Sequence, residues 1–421
     1  MSSLVQHHSL SPHRERITLL ALGAVQFTHI LDFMIMMPLG GQLMTVFNIT
    51  PAQFTHLVAS YGLAAAISGF AGGFVLDRFD RKRSLLTLYT GFGIATLACA
   101  LAPTHHALLI ARLVAGAFGG LAGSMVTAMV GDVIPPERRG RAMALVAAAF
   151  PLASVLGVPA GLVLAGRFGW HAPFFLLAAC AAVNLVLASI ALPPIRTAVH
   201  DHQPIRQMRE ILSHRIHLRA FAVGAVLVMA GGLVIPFIAP SFIANVGLDE
   251  TVQLPITYLV GGIATAVTTP IVGWLSDRMD RLRLLAIMSG GAILVVFFIT
   301  RLGPASVATA SIMMALFMIT MSGRFAPAMT MITNAVDARY RGGFMSVNAA
   351  LQQAASGGAN VLAGIFVTRD PSGHLHGLPV LGYVSVAFFF LTVVLAARLR
   401  AAAPHVASPT GVARAPIEIA A

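Results

Sequence analysis

Apolar residues fill twelve long runs, near 17–39, 52–75, 84–103, 107–130, 141–166, 173–193, 218–242, 253–275, 284–301, 305–328, 342–368 and 378–397, and polar residues collect in the short segments between them. A helix needs about 20 mostly apolar residues to cross the hydrocarbon of a bilayer, so each run predicts a membrane-spanning helix. The Gly and Pro within some runs are better tolerated in such helices than in soluble ones. Alternation with period two is absent, which argues against a β-barrel. Runs one to six end at Leu192-Pro193-Pro194, and runs seven to twelve follow a polar stretch rich in Arg and His. The pattern therefore predicts a cytoplasmic tail over 1–16, a six-helix bundle over 17–194, a cytoplasmic central loop over 195–217 with a short amphipathic helix, a second six-helix bundle over 218–399, and a disordered cytoplasmic tail over 400–421, where Ala, Pro, Ser and Thr dominate.

Composition agrees with the pattern. The 421 residues are 57% hydrophobic and 10% charged, against roughly a quarter charged in soluble domains. The net charge of +12 invites a nucleic-acid reading, but its distribution opposes one. With both termini in the cytoplasm, 22 of the 27 lysines and arginines fall in cytoplasmic segments. Arg167, Arg301 and Arg369 face the other side, and Arg112 and Arg324 lie inside spans. That asymmetry is the positive-inside rule, and it makes the lipid bilayer, not nucleic acid, the partner of the basic excess. Cys99 and Cys180 fall inside spans and read as small core residues. The first run is long enough to span and lacks a small-residue cleavage site, so it predicts a first helix in place of a removed signal peptide.

One segment occurs twice, 200 residues apart. Gly73-Phe-Val-Leu-Asp77-Arg78-Phe-Asp80-Arg81-Lys-Arg83-Ser-Leu85 returns as Gly273-Trp-Leu-Ser-Asp277-Arg278-Met-Asp280-Arg281-Leu-Arg283-Leu-Leu285, with seven of 13 positions identical. Arg139-Gly140-Arg-Ala-Met143 before span five similarly matches Arg341-Gly342-Gly-Phe-Met345 before span eleven, and Gly23-Ala-Val25 matches Gly224-Ala-Val226. Matched loops at half the chain length predict two six-span halves related by an axis along the membrane normal.

These residues carry a resemblance. The chain resembles a 12-span transporter of the major facilitator superfamily, in the drug:proton antiporter branch of bacteria. The loop motif of that superfamily reads G-x-x-x-D-R-x-G-R-[KR], and Gly73, Asp77, Arg78, Arg81 and Lys82 match it. Asp80, repeated as Asp280, stands where the family has Gly, so the turn is expected to be built differently. The resemblance implies an all-α membrane protein of twelve transmembrane helices in two pseudo-symmetric bundles, acting as a monomer in a bacterial inner membrane. It also implies a proton gradient in place of a cofactor.

Gly73 lets span two approach a neighbour closely. Asp77, at the cytoplasmic end of that span, can lie against the positive N-terminus of a helix, an interaction worth about 0.3–2 kcal/mol. The resemblance implies that this helix is span eleven, which starts near Arg341, and the repeat then sets Asp277 against the start of span five. With Arg78, Arg81 and Arg278, these residues are expected to form a cytoplasmic gate, latched only while the bundles are closed on that side. The other reading gives the charges a topological role alone.

Charge inside the spans is the sharper signal, because a charged side chain at mid-bilayer costs about 2.5–3.5 kcal/mol on insertion scales and must face the bundle interior. Asp32 is the one acid well inside a span, and His29 lies three residues earlier on the same helical face. Their repeat counterparts are Leu233 and Ala230. Arg112 enters span four at a matching depth, so an Asp32–Arg112 ion pair is predicted. Asp32 either carries the coupling proton or belongs to a fixed structural pair; His29 either relays protons or satisfies a hydrogen bond. Arg112-Leu-Val-Ala-Gly116-Ala-Phe-Gly119-Gly120 resembles the family's fourth-span motif, whose arginine is tied to proton handling. Arg324 in span ten either binds an anionic or hydroxylated substrate or locks that span to a neighbour. Gly157-Val-Pro159-Ala-Gly161 stands in place of the family's antiporter motif, with Val158 interrupting the Gly-Pro pair; its proline kinks the helix and its glycines permit close packing. Gln26, Met36, Asn348 and Gln352 are expected to line the substrate cavity, with Gln353 and Asn360 as further polar candidates. The methionines of spans one and ten suit promiscuous binding or plain gap-filling.

Enzyme chemistry finds no footing. The sequence has no phosphate-binding loop, no H-E-x-x-H or C-x-x-C, and no recognised metal spacing among His202, His214 and His217. The expectation is proton-coupled secondary transport, with export of a small organic compound first and proton-linked uptake of a sugar or small metabolite second. A transport-inactive sensor or scaffold on the same fold is the rival of another class, disfavoured by the absence of large soluble domains and by the presence of Asp32, His29 and Arg112.

Overall fold

A computed structural model describes residues 11–75, 79–193, 204–337 and 339–408. All twelve apolar runs are helical. Span one is α1 (Pro12–Ile35), followed by the short α2 (Gly40–Val46). Spans two, three and four are α3 (Pro51–Val75), α4 (Arg81–Ala100) and α5 (His105–Val133). Span five is broken into α6 (Pro136–Ala147), α7 (Ala149–Leu152), a π-turn (Ala153–Gly157) and α8 (Val158–Phe168), and span six is α9 (Ala172–Ala191). The predicted amphipathic connection is α10 (Pro204–Ser213). Span seven is α11 (Arg215–Gly232) with α12 (Ile235–Ala244), and α13 (Gln253–Arg278) and α14 (Arg281–Ile299) follow. Span ten is α15 (Val307–Gly323) with α16 (Phe325–Asn334), followed by α17 (Arg341–Phe366) and α18 (Leu378–Ala402). Ten of these segments are long and apolar enough on their own to cross a membrane. The other two, α4 and α17, carry basic residues in their first turns and pack among their neighbours, α4 on α5 and α9, α17 on α3 and α11.

Within the first half α3 packs on α5 and α1 on α9, and within the second α13 packs on α15 and α18 on both α11 and α14. Two seams join the halves: α3 against α17, and the π-turn with α8 against α13. Small residues make these seams. A Cβ on Gly262 would fall 2.8 Å from the Ser154 carbonyl oxygen, and one on Gly62 would fall 3.2 Å from that of Gln353. In lipid, where apolar burial gives helices no net attraction, such close backbone approach is what holds them together.

The structure revises two expectations and adds two details. The Asp80 and Asp280 departures are helix N-caps: their carboxylates accept the backbone N–H of Arg83 at 2.8 Å and of Arg283 at 2.9 Å, starting α4 and α14 as capping acids do. Residues 400–408, expected in a disordered tail, continue α18 and fold back, so that Val406 and Ala407 are buried and Arg281 donates to the carbonyls of Val406 and Ser408. Residues 12–16 and 215–217, placed in the tail and central loop, are the first turns of α1 and α11; Glu15 there pairs with Arg138 at 3.0 Å. Finally, the loop before α18 holds a two-residue hairpin, β1 (Thr368–Arg369) with β2 (Leu375–His376), clamped by the Asn245 side chain, which donates to Leu375 O at 2.8 Å and accepts from Leu375 N at 2.9 Å.

Candidate functional site

The first, third and fourth spans close around one ion pair. Arg112 donates to Asp32 Oδ2 at 2.7 Å and to the Asp32 carbonyl at 3.2 Å, and Thr96 of α4 donates to Asp32 Oδ1 at 3.4 Å. Both charged side chains are fully buried. The guanidinium stacks 4.5 Å from the ring centroid of Tyr61, whose hydroxyl lies 2.9 Å from His29 Nδ1. His29 and Arg112 are thus joined through one phenol. The small residues of α5 permit this. A Cβ on Gly116 or Gly119 would collide with Tyr61, and one on Gly123 would fall 2.8 Å from His29 Nε2.

Chemically the site is a buried pair with spare capacity. Among the described residues, Arg112 Nε and Nη2 have no hydrogen-bond partner. Protonating Asp32 would remove the charge that neutralises the guanidinium, and breaking a buried pair costs about 3–5 kcal/mol. Proton uptake at this place therefore demands that Arg112 move or acquire another anion.

The remaining candidate residues divide. Gln26 sits one turn from His29, its Oε1 buried without a partner. Met36 is fully buried in the apolar core beyond α1. Arg324 marks the break in span ten, inside the second bundle: it is 1% exposed, stacks 4.3 Å from the Phe389 ring and donates to Met321 Sδ at 3.2 Å. Asn348 and Gln352 of α17 approach Gly224 of α11, and Gln352 also meets Met329 Sδ at 3.5 Å. Asn360 is buried too, while Gln353 lends its backbone to the α3–α17 seam. The second-half residues lie in the other bundle from the Asp32–Arg112 pair. Gly157 and Gly161 press on α1, where added Cβ atoms would fall 2.7 Å from Leu31 Cδ1 and 2.6 Å from Ile35 Cδ1, and Pro159 is buried beside them.

Of the expected gate, Gly73 lies in the last turn of α3, and Asp77 and Arg78 lie outside the described residues. Arg81 is held within the first bundle by Asp132 at 3.0 Å. Asp277, Arg278 and Arg341 are at the surface, with Arg278 stacked 4.0 Å from the Trp274 ring centroid. Near this basic end, added Cβ atoms on Gly69, Gly140, Gly273 and Gly342 would meet nothing within 4 Å. At the far end the halves touch: Arg369 donates to Thr45 at 3.2 Å, and a Cβ on Gly166 would sit 3.0 Å from Thr251 Cα. Among the described residues the bundles meet at the far end, and the four glycines at the basic end face open space.

Tyr61, Thr96 and Asp132 were missed in the sequence. Tyr61 had a readable signal, since a phenol inside an apolar run requires a buried hydrogen-bond partner.

Residues 22–360 match the family model described as Major Facilitator Superfamily. The chain belongs to that superfamily. It is a multi-pass membrane protein. Among curated members, it is 29% identical to the uncharacterized MFS-type transporter YceJ of Bacillus subtilis over 45% of this chain and 49% of that protein. It is 31% identical to Multidrug resistance protein 3 of the same organism over 39% of this chain and 29% of that one. The matched stretch thus spans about half or less of these relatives. Among solved structures, a bacterial homolog of the human lysosomal transporter Spinster, in an inward-facing and occupied conformation, superposes with a TM-score of 0.76. It covers 95% of this chain and 99% of that one at 16% identity, a likeness of fold.

Proposed function

We propose that this superfamily member exports a small organic compound across a bacterial inner membrane in exchange for protons, with both termini in the cytoplasm. The observation that carries the reading is the Asp32–Arg112 pair, a carboxylate and a guanidinium sealed at 0% exposure inside the spans of the first bundle. In this reading Asp32 binds a proton from outside, Arg112 is released, and the rearranged first and fourth spans favour the basic, cytoplasmic end being open. Proton loss to the cytoplasm re-forms the pair. Repeat asymmetry supports it: Leu233 and Ala230 stand where the first half has Asp32 and His29. Multidrug resistance relatives support export over uptake.

The test uses purified protein in proteoliposomes, with ethidium as the probe and an imposed pH gradient. Antiport moves ethidium against the proton flux, and Asp32→Asn abolishes the gradient-driven component while leaving ethidium binding measurable. Gradient-driven transport that survives Asp32→Asn makes the pair structural, and movement of both species in one direction replaces antiport with symport.

A further inference from the structure

The far-end closure covers a cavity of about 430 Å³ that belongs to neither polar cluster above. Its walls come from both halves: α2 and the end of span five on one side, α12, the loop into α13 and the β1–β2 hairpin on the other. Two charged side chains line it, Glu250 in that loop and Arg369 in β1. No ion pair joins them. Arg369 reaches across to Thr45, and Glu250 shares the pocket wall with Gln42 of α2. The Glu250 Oε1 lies over Gly41, 3.9 Å from where a Cβ would stand, and is buried without a donor. Both contacts cross the bundle boundary, so any conformation open at the far end must break them and return Glu250 to water.

We propose that Glu250 is a second proton-binding residue of the transport cycle, an acid whose protonation holds the far end closed and whose ionisation favours its opening. The proposal rests on the alternating-access reading above and does not depend on Asp32 as proton carrier. Burial pushes the Glu250 carboxyl above the usual carboxylate range; the Gln42 amide opposes the rise, and the neighbouring Asp249 adds to it. Asp249 itself is held low, and so ionised, by hydrogen bonds from Thr251 and the Val252 N–H. Among the described residues no other titratable group lines the cavity apart from Arg369: α2 presents Gly41, Gln42, Met44 and Thr45, span five and the turn after it present Gly166 and Trp170, and α12 presents Pro240, Ile243 and Ala244. A group that binds its proton more tightly in the closed state stabilises closure fully at pH below its open-state value. That stabilisation fades as pH rises through the closed-state value. External acid therefore shuts the far end, in step with a carrier that has just taken up a proton outside.

The test is a distance measurement across the far end. Spin labels are placed on Leu101→Cys and Gly303→Cys, in the far-end loops of the two halves, in a chain with Cys99→Ala and Cys180→Ala, reconstituted in nanodiscs and titrated from acid to alkaline pH. The short-distance population is expected to fall with rising pH, its ratio to the long-distance population changing by up to about tenfold per pH unit, the limit for one proton. In the Asp32→Asn background, where Asp32 no longer titrates, Glu250→Gln flattens that titration and stays short-distance throughout. Gln42→Leu moves the midpoint upward, because it removes the amide that opposes the rise in the Glu250 carboxyl. Asp32→Asn keeps the Glu250-dependent transition. An unaltered titration in Glu250→Gln, or a parent population indifferent to pH, overturns the proposal and leaves the Asp32 reading to its own transport assay.

Discussion

Arg112 is positioned by three contacts of different kinds: a carboxylate, a backbone carbonyl and the face of Tyr61. The last is the one that ties it to His29. Tyr61→Phe keeps the ring under the guanidinium but strips His29 Nδ1 of its hydroxyl. A buried polar group left without its partner costs about 1–3 kcal/mol, so the variant is expected to melt earlier in detergent. If His29 passes protons, the variant also slows gradient-driven ethidium flux; an unchanged flux with lowered stability makes the His29–Tyr61 bond structural. Nothing in the spacing of these residues within the chain reveals that they share a site, since Asp32 and Arg112 are 80 positions apart. The prediction of that pair came from depth alone: two charges at one level of a bilayer have little else to face.

At the scale of elements, the repeated loop does two different things. Its acids at positions 80 and 280 start helices, and the second also meets Arg400 of α18 at 3.1 Å. Removing an N-cap costs about 0.5–2 kcal/mol, and a solvent-exposed ion pair adds about 0–1. Asp280→Ala is therefore expected to lower the apparent melting temperature more than Asp80→Ala does, by differential scanning fluorimetry; equal losses would mean that the Arg400 contact contributes nothing. The cap had a readable signal, since an Asp directly before the first helical residue is a start signal, although in the sequence it stands out only as a departure from the family's turn. The fold-back of 404–408 had none. An Ala- and Pro-rich segment has no periodic pattern, and it is ordered by Arg281, whose buried guanidinium uses its carbonyls.

For the whole molecule the question is which end is closed. Gly166 and Thr251 meet where span five touches the loop before α13, and cysteines there would place their Cβ atoms 3.2 Å apart, near the ~3.8 Å of a disulfide. In a chain with Cys99→Ala and Cys180→Ala, oxidised Gly166→Cys/Thr251→Cys is expected to be locked closed at the far end, with ethidium transport lost and recovered on reduction. Transport that persists through complete cross-linking would mean that the far end need not part.

The sequence by itself determined the twelve helices, their halves and the asymmetry of basic charge, because a bilayer forces apolar runs of fixed length and leaves a charged residue few places to sit. It also isolated Asp32, His29, Arg112 and Arg324 as charges or titratable groups that break the repeat. The tertiary structure alone decided that Tyr61 links two of them, that Arg324 is enclosed within its own bundle, and that Arg81 is committed to Asp132. It alone placed Glu250, an ordinary loop acid in the sequence, in the closure between the halves. Such contacts depend on how the bundles pack and on which end they have closed, and neither is written in the periodicity of any one helix.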